Sequence, residues 1–152
     1  MRPFTAALLV AFAASAASAA DKSEDKARDA AVAFLKAVKA KDLDAVVKVS
    51  AVPFAYRDGD KVVVLKETDA LKKWLKEKLD EVKGADKVPT ELAAIHAFAD
   101  IKEKIKDAEQ QKTIEDVVGK DGFVAVVSAD GKMIPILVRI KDGKATVVGL
   151  GR

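Results

Sequence analysis

The chain has 152 residues, with 27 Lys or Arg against 24 Asp or Glu, one His and no Cys. A chain of this length forms one domain that buries about two-thirds of its surface. The absence of Cys excludes disulfides, a thiol nucleophile, a Cys-ligated zinc site and a lipid-modified N-terminal Cys. Charges of both signs are interspersed, with no basic block interleaved with aromatics, so composition argues against a nucleic-acid partner.

The first twenty residues, "MRPFTAALLVAFAASAASAA", place one Arg before an apolar run and close on small residues. That order is the pattern of a secretory signal, with cleavage expected between Ala19 and Asp21. The apolar run is too short to span a bilayer. The expected division is a signal peptide over 1–20 and a single domain over 21–152, exported to the periplasm or the extracellular space without a membrane anchor. Removing one basic residue leaves a mature charge of 26 − 24 = +2.

The mature chain opens on a helix expected from Asp21 to Ala40. Ala27, Ala30, Ala31, Phe34, Leu35 and Val38 repeat on one face of it. Asp42 caps a second, short helix with Leu43, Val46 and Val47 as its apolar stripe. Pro53 stops helical continuation. Val52, Phe54 and Tyr56 then alternate along a strand, Asp58-Gly59 supplies a tight turn, and "KVVVLK" returns. Thr68 is expected to cap a helix with Leu71, Trp74, Leu75, Leu79 and Val82 inward, ended by Gly84.

Residues 85–119 read two ways. "PTELAAIHAF" fits a strand with Leu92, Ala94, His96 and Phe98 on one side, or the start of a helix; the strand is favoured. A helix is expected from about Asp100, with Phe98, Ile101, Ile105 and Ala108 as its stripe, and Ile114, Val117 and Val118 add a turn or two before Gly119. Three β-rich runs follow, "GFVAVVSA", "KMIPILVRI" and "KATVVGLG", separated by Asp130-Gly131 and Asp142-Gly143. In the middle run Ile134, Ile136, Val138 and Ile140 share one face, and Met133, Pro135, Leu137 and Arg139 share the other. Pro135 lacks a ladder donor, which implies a free edge or a bulge there.

The fold class is therefore α+β: a curved antiparallel sheet of about six strands wrapped around N-terminal helices. On "AVAFLKAVKAKDLDAVVKVSAVPF" near the start and "LVRIKDGKATVVGLG" at the end, the chain resembles the nuclear transport factor 2-like, cystatin-like superfamily of cone-shaped domains. The first stretch is similar to that superfamily's opening helix pair and first strand, the second to its closing hairpin. The resemblance implies a cone with a pocket, self-pairing through the sheet, and either binding or isomerase, cyclase and dehydratase chemistry.

The residues able to serve such a pocket are Tyr56, the only tyrosine, and His96, the only histidine. Isomerase-like members use a tyrosine with carboxylates deep in the cone, but no acid sits mid-strand on the inward face of Tyr56. Cyclase- and dehydratase-like members pair His with Asp, and here the nearest downstream acid is Asp100. An ordinary wall position for Tyr56 and a packed neutral His96 compete with the pocket roles. No metal site, cofactor motif or serine nucleophile elbow is present in the sequence. The reading is a non-catalytic binding or dimerising module, with a homodimer through the sheet or a small apolar ligand as its partners. An isomerase, cyclase or dehydratase using Tyr56 and His96 is the alternative. A cone interior filled by Phe34, Phe54, Trp74 and Phe98 would exclude it.

Overall fold

A computed structural model describes residues 13–151 of the chain, with side chains from residue 20 onward. The expected signal segment lies mainly outside the described residues. α1 spans Ala13–Lys39 and α2 spans Leu43–Val49. They are joined by a tight corner in which Asp42 N–H donates to the Ala37 carbonyl and Lys41 N–H to that of Val38, both at 3.0 Å. This paired closure needs a left-handed residue, and Lys41 takes it with φ 54°. Asp42 caps α2 as its sequence implies, its carboxylate accepting from Ala45 N–H at 3.0 Å.

β1 (Ser50–Asp58) and β2 (Lys61–Leu65) form the first hairpin. Its turn has positive φ at Gly59 but not at Asp60, the pattern of a type II′ turn. α3 covers Thr68–Glu81. Glu67, not Thr68, is its N-cap residue, and neither side chain closes the end. β3 is the short strand Ala94–Ala97, the favoured of the two readings, and α4 follows at once over Phe98–Ile101. The single helix expected from Asp100 through Ala108 is broken. A 3-10 turn at Lys102–Lys104 ends in extended backbone at Ile105, and a separate α5 begins at Ala108 and runs to Val118. The cause is Asp107, whose carboxylate accepts from the N–H groups of Glu109 at 2.9 Å and Gln110 at 3.0 Å and starts a new helix.

β4 (Phe123–Ala129), β5 (Lys132–Lys141) and β6 (Lys144–Leu150) form a meander. Both of its turns have positive φ at Asp and Gly alike, Asp130-Gly131 and Asp142-Gly143, as type I′ hairpins require. The six strands make one open sheet in the order β2-β1-β6-β5-β4-β3. Neighbours run antiparallel except β1 and β6, which are parallel and irregular between Ser50 and Ala55. This is the α+β arrangement expected from element order, with the first hairpin laid beside the last strand.

Pro135 does not lie on an edge strand, because β5 sits between β4 and β6. Its carbonyl accepts from Gly151 N–H at 2.8 Å. A residue's N–H and C=O face the same neighbour in an antiparallel ladder, so the missing donor faces the point where β6 runs out.

Helices pack on both faces of the sheet. On the inner face Phe54, Phe123, Ala125, Ile136, Val138 and Val147 pack against Ala27, Ala31 and Phe34 of α1, Val46 of α2, and Leu71, Leu75 and Leu79 of α3. The two alanines let α1 approach the strands closely. On the outer face Ala55, Val124, Leu137 and Val148 pack beneath Phe98 of α4 and Val117 and Val118 of α5. The period-two alternation of β1, β4 and β5 divides their side chains between these two cores.

Candidate functional site

Tyr56 stands on the inner face, half-buried near the end of β1. Its ring lies against Trp74 of α3, with centroids 4.6 Å apart and planes at 31°. Phe54, two residues earlier on the same face, meets the other side of the cluster at 5.5 Å from the Trp74 ring. The tyrosine thus packs on Trp74 of α3, at the margin of the inner core that also holds Phe34 and Leu35 of α1. No carboxylate or other partner hydrogen-bonds its hydroxyl among the described residues. Arg57 faces the outer side, where its Nη2 donates to Gln110 Oε1 at 3.1 Å.

His96 is exposed on β3, the four-residue strand at the far edge. It pairs in register with Val124, which belongs to the outer-face core, so His96 points away from the face that carries Tyr56. Four strand spacings separate β1 from β3 in the sheet order. At about 4.8 Å each, that is roughly 19 Å. The sheet does not bring the two sequence-selected residues together. Asp100, the acid nearest to His96 in sequence, is exposed on α4 and shares no hydrogen bond with it.

The inner face carries an apolar core. Phe34 and Phe54 are buried there and Trp74 packs beside them. Phe98, the fourth residue of the interior that would exclude catalysis, is not among them: it is buried on the opposite face, in the core beneath α4 and α5. Among the described residues no polar or charged residue is buried.

The position that sequence reasoning passed over is Arg139. It lies on β5 among the outer-face residues, and its Nη2 reaches across β6 to donate to the Val52 carbonyl at 3.0 Å. Its Nη1 lies 3.5 Å from the Val117 carbonyl in the last turn of α5. A cation suits a helix C-terminus, where carbonyls are unpaired and the dipole is negative. Nε is buried without a partner, and desolvation lowers the guanidinium pKa from its ordinary value. Arg139 therefore ties the irregular stretch of β1, the middle of the sheet and the end of α5 into one unit. Its sequence signal was an arginine in register with Met133, Pro135 and Leu137 on an otherwise apolar face.

Two shallow clefts open on the outer side. One, of about 250 Å³, has Phe98 and Ala99 in its floor and Lys102, Glu115 and Lys120 around it. Lys102 Nζ lies 3.6 Å from Glu115 Oε1. The other, of about 410 Å³, lies between the β1–β2 turn and the start of α5, lined by Asp60, Lys61, Asp107, Glu109, Gln110 and Thr113, with Val62. Gln110 spans it, its Nε2 donating to the Asp60 carbonyl at 3.0 Å. No group of three or more His, Asp or Glu side chains among the described residues is placed to hold a metal ion.

No protein-family model matches the sequence, and no curated protein matches it. Solved structures do. The chain is similar to an NTF2-like protein of unknown function from Pseudomonas putida, at 13% identity over 84% of this chain and 83% of that one, with a TM-score of 0.47. It is similar also to a substituted variant whose name carries the NTF2 label, at 13% identity over 84% and 96% of the two chains, TM-score 0.40. A candidate calcium/calmodulin-dependent protein kinase II association domain from Xanthomonas campestris matches at 10% identity over 78% and 77%, TM-score 0.39. These likenesses are of fold and reach no ligand, activity or assembly of those proteins.

Proposed function

We propose that the protein is an exported, non-catalytic interaction module that works from its surface and pairs with a second copy of itself through the open end of the sheet. The observation that carries the first part is the inner face, where a pocket would lie: Phe34, Phe54, Leu71, Leu75, Ile136 and Val138 fill it as buried side chains. Acid–base catalysis needs a titratable group within hydrogen-bond reach of a bound substrate, and its pKa is tuned by burial or a charged neighbour. Tyr56 is held by a ring stack, and His96 lies on another face four strands away.

Export is supported by the charge–apolar–small order of residues 1–20. Asp21 and Lys22 are exposed, and from residue 20 onward the first buried residue of α1 is Ala27, so cleavage before Asp21 keeps Ala27, Ala31, Phe34 and Leu35 in the mature chain. No helix among the described residues is long and apolar enough to cross a membrane. Pairing is supported by the outer face beyond α4 and α5. There Met133 is 65% exposed, beside half-buried Pro135, Val126 and Ala94 and the short edge β3. An isologous contact brings the same patch from each copy together.

Sedimentation velocity on residues 21–152 at micromolar concentration tests the pairing. The expected result is a reversible dimer that Met133→Asp converts to monomer with an unchanged circular dichroism spectrum. A strict monomer overturns the pairing. The filled interior is tested with an apolar fluorescent probe such as anilinonaphthalene sulfonate, expected to show no saturable binding. Saturable binding that Tyr56→Ala abolishes, and His96→Ala does not, would overturn the reading of a closed interior.

A further inference from the structure

We draw no further inference here: the strongest candidate, the shallow cleft between α4 and α5 floored by Phe98 and Ala99 and rimmed by Lys102, Glu115 and Lys120, carries nothing because Lys102 is already paired with Glu115 and no second observation points to a ligand.

Discussion

The stack of Tyr56 on Trp74 allows the wall reading to be measured. Tyr56 is half-buried, its centroid 4.6 Å from that of Trp74, and its hydroxyl makes no hydrogen bond among the described residues. Removing only the hydroxyl, Tyr56→Phe, is therefore expected to change stability by less than about 0.5 kcal/mol, the range of substitutions that touch no specific feature. Removing the ring, Tyr56→Ala, is expected to cost about 1.5–2.5 kcal/mol, roughly half of what a fully buried aromatic loses. Trp74→Ala removes the same contact from the helix side. The pair should then show a coupling of about 0.5–1.5 kcal/mol in a double-mutant cycle, the usual contribution of an aromatic pair beyond its buried area. Urea denaturation followed by far-ultraviolet circular dichroism is the assay, since Trp74 is the only tryptophan and its loss removes the fluorescence signal. A coupling indistinguishable from zero would refute the stack as a stabilising contact. A cost above about 1.5 kcal/mol for Tyr56→Phe would show that the hydroxyl has a buried partner and would return Tyr56 to the list of functional groups.

Three further outcomes follow from the geometry. Gly149→Ala places a Cβ 2.6 Å from the Ala55 carbonyl oxygen and 2.7 Å from Leu137 Cδ1; the backbone oxygen is fixed in the β1–β6 pairing, so a loss of about 1–3 kcal/mol is expected, and a neutral result by urea titration would mean that the two strands are further apart than described. Arg139→Met leaves the Val52 carbonyl without its side-chain donor and cuts the tie to α5; relief of guanidinium desolvation opposes this, but a stripped carbonyl dominates at about 1–3 kcal/mol, and a stabilised variant would show the opposite balance. Lys41→Gly is expected to raise the melting temperature by about 2–4 °C, because the left-handed φ of 54° costs a side-chain-bearing residue more than glycine loses in unfolded-chain entropy; a lower melting temperature counts against that corner.

The sequence by itself determined the local elements wherever one residue's chemistry decides a backbone angle. Asp-Gly steps at Asp58, Asp130 and Asp142 located all three hairpins, and Asp42 located the start of α2. Apolar spacing found α1 and α3, and alternation along β5 sorted Ile136 and Val138 from Leu137 and Arg139. The same cues failed between residues 98 and 119, where a continuous apolar stripe hid the break that Asp107 makes: the stripe records burial, while the break is set by a side chain capping backbone N–H groups. Only the tertiary structure decided which strands are neighbours. Pairing β1 with β6 is a non-local contact that no short-range pattern encodes, and it sets Tyr56 and His96 four strands apart. It also decided which sheet face each helix covers. An amphipathic helix must bury its apolar stripe somewhere, but its own residues do not say against what, so only the packing places Phe98 in the outer core.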